Sequence, residues 1–506
     1  MKTGNKTMLE SLPSDMIGVI CEYLDIKDRN ILLIVSKTMR VEQKKFRYLK
    51  LRKKYSLEYY KNELFREIIN NKVNHQHRQL SLTLPYTGVM NVSNLGNVHS
   101  LDLAETSVLD VSALGNIHTL NLGFTSIVNV SALGKVHTLN LGGCRSIVDV
   151  SALGNVHKLN LMGTSVVDVS ALGNVHTLNL SCTSVVDVSA LGNVHTLNLA
   201  FTSVVDVSTL GNVNTLNLKC CRSVVNVSAL GKVHALILTG TSVVDASALG
   251  KVHTLDLADT DVQNISILGN VHTLRLPSTV VDPSAFRNVH TLDLEYCRYV
   301  VDVSALGNVH TLNLASTSIV DVSALGNVYS LNLRHCKSII DVSALGNVHA
   351  LNLMNTSVVD VNALGNVHTL NLACTPVVDV SALGNVHTLN LAFTPIRDAS
   401  ALGNVHTLTL AHTCIVDVSA LGNVHSLDLR NTRVQDVSKL GNVHLLDLGQ
   451  CKSVVDVSAL GNVHTLNLAF TPVVDASALG NVHTLNLAHT SVVDMSALGN
   501  VHTLIK

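Results

Sequence analysis

The chain has 506 residues, 35 of them Lys or Arg and 36 Asp or Glu, for a net charge of −1; 47% are hydrophobic and 14% charged. The apolar positions are scattered and never form a run near the ~18 residues that a membrane span needs, and the N-terminal stretch MKTGNKTMLESLPSD has no apolar signal core. The reading is therefore a soluble intracellular protein, cytoplasmic or nuclear, with no membrane partner.

Charge is unevenly placed. Residues 1–78 hold 17 Lys/Arg and 9 Asp/Glu, and the remainder 18 and 27, so a domain boundary is expected near residue 78. Residues 1–11 read as a polar leader. In residues 12–40, Ser14 and Asp15 can cap a helix whose apolar face is Ile17, Ile20, Cys21 and Leu24; Asp25 to Asp28 make a turn, and Ile31, Ile34, Val35 and Met39 form a second face. Leu12-Pro13, Tyr23-Leu24, Asp28 and Val35-Ser36-Lys37 make this stretch resemble the F-box, although Met39 stands where that family usually has Trp and Arg29 where it has Leu. The resemblance implies docking on a Skp-type adaptor of a cullin ubiquitin ligase through Leu12, Pro13, Ile17, Ile20, Leu24 and Val35.

Residues 41–78 interleave Lys44, Lys45, Arg47, Lys50, Arg52, Lys53 and Lys54 with Phe46, Tyr48, Tyr55, Tyr59, Tyr60 and Phe65. Basic and aromatic residues together can signal nucleic acid. The favoured reading is a helical linker, with lysines in water and aromatics packed inward.

From residue 79 to 506 the chain repeats a nineteen-residue unit, seen cleanly in VHTLNLSCTSVVDVSALGN from Val175 to Asn193. Twenty of 22 equivalent positions from residue 99 to 502 are His, the exceptions being Asn214 and Tyr329. A period near 20 means a solenoid. Leu178 and Leu180 alternate with Thr177 and Asn179, which predicts a strand with one buried face. Asp187 precedes Val-Ser-Ala-Leu and can accept the free N–H groups of a helical turn; 18 of 21 equivalent positions are Asp and the rest are Asn129, Asn226 and Asn264. Gly192-Asn193 supplies the return turn. One copy buries too little to fold alone, whereas stacked copies share a core and a sheet.

Val175, Leu178, Leu180, Thr183 and Val185 are similar to the leucine-rich repeat, with Thr where Asn usually sits. The resemblance implies a right-handed superhelix, a parallel sheet on the concave face and short 3₁₀ turns, near 188–191 in this copy, on the convex face. The chain stops mid-unit at Lys506, so the last strand offers an edge for end-to-end self-association. Cys144, Cys221, Cys297, Cys336 and Cys451 take the Thr phase in the five twenty-residue copies, each followed by Arg or Lys. They read as buried structural thiols beside a local bulge.

Nothing here resembles an enzyme or implies a cofactor. The sequence holds no Gly-rich phosphate loop and no nucleophile elbow, and the His column reads as a structural ladder rather than a metal site. Most copies carry Asn between the two leucines and so look interchangeable. The exceptions gather at Ile237, Asp256, Asp259, Arg275, Asp293 and Tyr296, around an eighteen-residue copy with Pro277, Pro283 and Phe286. A second group is Asp428, Arg430, Arg433 and Asp447. Asp256, Asp259, Arg275, Asp293 and Tyr296 are the expected partner-binding residues. The F-box resemblance makes the expected function that of a substrate receptor, the repeats holding the target protein; the alternative is a ligase-independent scaffold or decoy.

Overall fold

A computed structural model describes residues 48–75 and 79–506 of the chain. It divides into two compact units, with the boundary between Val252 and His253.

The described part of the first unit starts with a strand inside the stretch read as a linker. Strand β1 (Tyr48–Lys50) pairs in parallel with β2 (Gln79–Thr83), placing Leu49 beside Leu80. Helices α1 (Lys53–Lys61) and α2 (Glu63–His75) lie between them in sequence. Asn62 Oδ1 accepts the Phe65 N–H at 3.1 Å and caps α2, as a short polar side chain at that position should. Tyr59 is buried, and its hydroxyl donates to Asn70 Oδ1 at 2.7 Å, tying α1 to α2. Fully buried Ser56 donates to Leu51 O at 3.0 Å and accepts the Thr83 N–H at 2.9 Å, which joins α1 to the sheet.

Each later copy adds one rung. In Thr177–Asn179 the outer residues are half-buried and Leu178 is buried, as the alternation predicts. The strand pairs in parallel with Lys158–Asn160 and Thr196–Asn198, Leu against Leu on both sides. Leu180, Val185, Leu191 and Val194 are fully buried, and Val188 nearly so. Thr183 closes the corner by donating its hydroxyl to Leu180 O at 2.6 Å. The 3₁₀ turn covers Ser189–Leu191, and Asp187 Oδ1 accepts the Ser189 N–H at 2.9 Å. That bond holds the Asp187 carboxyl below the ordinary carboxylate range. The glycine that follows is required by its neighbour: a Cβ on Gly173 would lie 2.5 Å from Ala190 O of the next copy.

Twenty-residue copies fit their extra residue in a tight turn, with the Arg145 N–H donating to Gly143 O at 3.0 Å. Cys144 is buried there, and its thiol reaches back to Leu122 O of the preceding copy at 3.0 Å, whereas Thr164 bonds within its own copy. The carbonyl of the extra residue accepts the Ser165 hydroxyl of the next copy at 2.6 Å. The second unit repeats this architecture from Thr254–Asp256 to Thr503–Ile505. Among the described residues no helix is long and apolar enough to cross a membrane.

Candidate functional site

The residues carrying the F-box resemblance, Leu12, Pro13, Ile17, Ile20, Leu24 and Val35, lie outside the described residues. Asp256, Asp259, Arg275, Asp293 and Tyr296 all belong to the second unit.

The Asn column is committed to the backbone, and this changes what the sheet face can offer. Asn179 Oδ1 accepts the Ser181 N–H at 3.1 Å and the Ser181 hydroxyl at 2.8 Å. The same bond from the residue two positions on recurs at Asn198, Asn371 and Asn467. Some of these amides also form a ladder, Asn140 Nδ2 donating to Asn121 Oδ1 at 2.8 Å and Asn160 to Asn140 at 2.7 Å. Asn here closes the end of the strand, where the chain turns out of the sheet and an N–H would otherwise lack an acceptor.

Asp does the same work where it replaces Asn. Asp256 Oδ1 accepts the Ala258 N–H at 2.9 Å, and Asp293 Oδ1 accepts the Glu295 N–H at 2.9 Å and Asn313 Nδ2 at 2.8 Å. Their second oxygens face Arg275, which sits on the rung between: 3.7 Å to Asp256 Oδ2 and 3.3 Å to Asp293 Oδ2. Arg275 is thus bracketed by two carboxylates. Arg430, two residues beyond Asp428 in its own copy, also meets two carboxylates, at 2.7 Å from Asp428 Oδ2 and 3.6 Å from Asp447 Oδ2. Glu295 takes Arg334 at 2.6 Å, while Arg334 Nε is buried with no partner among the described residues. Beneath the first cluster, burial pushes the Cys297 thiol up to about 12, with Asp293 adding to the effect and Arg275 opposing it.

Arg275 also explains the short copy. It has no oxygen to receive an N–H two residues on, and Pro277 at that position has none to give. In standard copies the next residue but one after the second leucine has positive φ, for example Cys182 at 57°, Phe393 at 59° and Tyr296 at 67°. Among the described residues the eighteen-residue copy has no positive-φ residue between Asp259 and Tyr296, consistent with losing that residue.

This left-handed column is a feature that periodicity alone did not expose. Its occupants include Cys, Phe, Asp, Glu, Tyr, Ser, His, Asn, Gln and Gly, and the residue just before it varies as well. The fold asks only for the backbone angle and leaves the side chain in water: Phe124, Phe201, Tyr296, Phe393 and Phe470 are half or more exposed. Asp259 and Tyr296 both stand in it, so two of the expected binding residues belong to this column and three to the strand column. Neighbours can couple along it. In the second unit the Phe393 and His412 rings stack at 4.2 Å, and Asn431 Nδ2 lies 2.8 Å from His412 Nδ1. Phe393, His412, Cys414, Asn431, Arg433 and Lys452 line an open groove of about 490 Å³.

The His column is a stacked ladder. Within the first unit successive rings from His99 to His195 lie 4.5–4.7 Å apart, and within the second those from His253 to His502 lie 4.5–4.8 Å apart. Near-parallel rings hold their nitrogen lone pairs side by side. Two of them do not converge on an ion that needs each nitrogen at roughly 2.0–2.1 Å. His99, His137, His176, His368, His406 and His444 are pushed below the ordinary imidazole range, first by burial and then by neighbouring imidazoles.

No family model and no curated protein matches the chain. Among solved structures, the TLR13–ssRNA13 complex is 20% identical over 84% of this chain and 76% of that one, with a TM-score of 0.61. The mouse RP105/MD-1 complex is 16% identical over 83% of this chain and 88% of that one, with a TM-score of 0.55. Identities this low speak to the fold alone. With the parallel rungs and 3₁₀ turns, they show a leucine-rich-repeat solenoid.

Proposed function

We propose that the repeat array is a protein-interaction module that holds a segment of a partner on the second unit. The observation that carries this reading is the left-handed column, whose side chains the fold does not use, lying next to the charged cluster at Asp256, Arg275 and Asp293. Tyr296 is half exposed and Asp259 shares its column, so a peptide segment would meet an aromatic anchor beside two acids held by one arginine. Asp259, unlike Asp256 and Asp293, has no cationic partner among the described residues, which suits a basic residue on the segment.

The resemblance of residues 12–40 extends the proposal to a role as substrate receptor of a cullin ubiquitin ligase. In that role the N-terminal motif docks on a Skp-type adaptor, and the repeats raise the local concentration of the target near the ubiquitin-charged enzyme. The test is co-purification of the full chain with adaptor and cullin, set against a variant with Leu12→Ala and Pro13→Ala. Capture lost in the variant, with circular dichroism unchanged, supports the receptor role. Equal capture, or none by either chain, leaves a ligase-independent scaffold. Partners found by proximity labelling are then compared on Tyr296→Ala and Asp259→Ala, each expected to weaken binding by about 1–2 kcal/mol. No loss with either moves the interface off this cluster.

A further inference from the structure

In the second unit the imidazole column forms a line of titratable groups from His253 to His502, interrupted once by Tyr329, which stacks in the same file at 4.7 and 4.6 Å from its neighbours. Nδ1 of His272, His310, His368, His387 and His406 lies 3.2–3.3 Å from the hydroxyl of the threonine that follows. A hydroxyl can donate to a bare Nδ1 or accept from a protonated one, so this contact survives in both charge states. Nε2 of these rings meets no protein group among the described residues, and the histidines themselves are exposed. Each of these five rings can therefore take a proton, and its outer edge can then present an N–H to a ligand.

Among the described residues no acid is placed to neutralise that line. The groups acting on His368, His406 and His444, after burial, are other imidazoles. The charged residues in the turns leading into these rings are Lys251, two residues before His253, Arg287, three before His290, and Lys439, five before His444, and all three are cations. The strand-end charges Asp256, Arg275, Asp293, Arg430 and Asp447 lie at the far end of each strand, three or more residues away, roughly 10 Å or more along the chain. The acids that hold the 3₁₀ turns, such as Asp379 and Asp398, are bonded to the serines that follow them. Protonation thus creates like charges at a rung spacing of 4.5–4.8 Å, of the order of the ~3.4 Å phosphate spacing of one DNA strand, with no acid beside the rings among the described residues to compensate them.

We propose that this column is a proton-gated binding site for a linear polyanion, a flexible chain carrying closely spaced phosphate groups of the polyphosphate kind. The ligand supplies the negative charge that the ladder lacks, and so draws protons onto the rings as it binds. By linkage its affinity rises as pH falls toward and below the ordinary imidazole range of about 6.5. Nucleic acid fits less well. Base recognition on single strands relies on free aromatic faces, and here each ring face is covered by the next ring.

The test uses the full chain and fluorescently labelled inorganic polyphosphate at constant ionic strength, followed by anisotropy at pH 7.5 and pH 6.0. Affinity is expected to rise at least tenfold at the lower pH and to fall with added salt. The comparison chain has the histidines from His253 to His502 replaced by Asn. Asn214 already fills this phase while keeping the ladder bonds, its N–H on His195 O at 3.0 Å and its carbonyl accepting the His234 N–H at 3.0 Å. That variant should lose more than half of the tightening. A second reading needs no variant: imidazole proton resonances of the native chain should titrate at higher pH when polyphosphate is present. A flat affinity between the two pH values overturns the proposal. So does a variant that tightens as much as the native chain, or a titration unmoved by polyphosphate. A thymidylate oligonucleotide binding more tightly than polyphosphate would reject the assigned ligand.

Discussion

Asn179→Ala removes the only acceptor that the Ser181 N–H has among the described residues, in a residue with 6% of its surface exposed. Leaving a buried backbone N–H unsatisfied costs about 1–3 kcal/mol. Asn179→Asp keeps an oxygen in the same place, as the chain itself does at Asp256, where the Ala258 N–H is accepted at 2.9 Å, and at Asp447, where that of Gly449 is accepted at 2.9 Å. The two substitutions should therefore separate. Global unfolding is a poor assay because a long repeat array need not unfold as one unit. Amide hydrogen exchange at residue 181 is local: the Ala variant should exchange roughly 5- to 150-fold faster than the native chain, the equivalent of that energy range, and the Asp variant close to native. Equal loss of protection in both would refute the reasoning, since the effect would then come from removing an amide rather than an oxygen.

Three further outcomes follow from the same geometry. The shifted histidines have folded values below the unfolded ~6.5, so the unfolded chain binds more protons there and stability falls as pH drops through that range; the capping acids, held below the ordinary carboxylate value of 3.8, add a second loss at lower pH, and a melting temperature flat from pH 7.5 to 5.5 would contradict the first step. Gly173→Ala must push a Cβ into Ala190 O and should lower the urea midpoint, whereas Gly163→Ala, with nothing within 4 Å but φ of +65°, should lower it less, by about 1–2 kcal/mol; a larger loss at Gly163 would reverse the argument. At pH 8 the buried Cys297 thiol should resist alkylation in the folded chain while exposed Cys182 and Cys374 react, as peptide mass mapping would show.

Much of the fold was legible in the sequence because the repeat states its physics many times over. Leu178 and Leu180 give the strand, Asp187 the turn, and the phase of Cys144 its burial. The role of the Asn column was not legible, because the use of Asn179 depends on where the backbone turns after the strand, which spacing does not encode. The pairing of Arg275 was hidden for a related reason: its two acids come from neighbouring rungs nineteen and eighteen residues away. The left-handed column left a trace in the sequence, since it is one of two adjacent varied positions after the second leucine, but variation does not specify a positive φ. Strand β1 left less, because Tyr48-Leu49-Lys50-Leu51 keeps the spaced pair of buried leucines but not the rest of the unit, and its place is given by its pairing with β2.

The sameness of the junctions has a consequence for the length of the molecule. Thr369–Asn371 meets Thr388–Asn390 in the register in which Asn352 meets Asn371, with the same leucine opposite leucine and the same histidine carbonyl accepting two N–H groups. Excising nineteen residues from one histidine to the next would bring together two surfaces that already match their new neighbours, shortening the array by one strand spacing, about 4.8 Å. Excision across the eighteen-residue copy would not, because its Pro277 and Arg275 are fitted to each other. Whole copies within the regular stretches behave as interchangeable links, so a deletion series there would work as a ruler, changing the separation between outlying surfaces in fixed steps while leaving each surface intact.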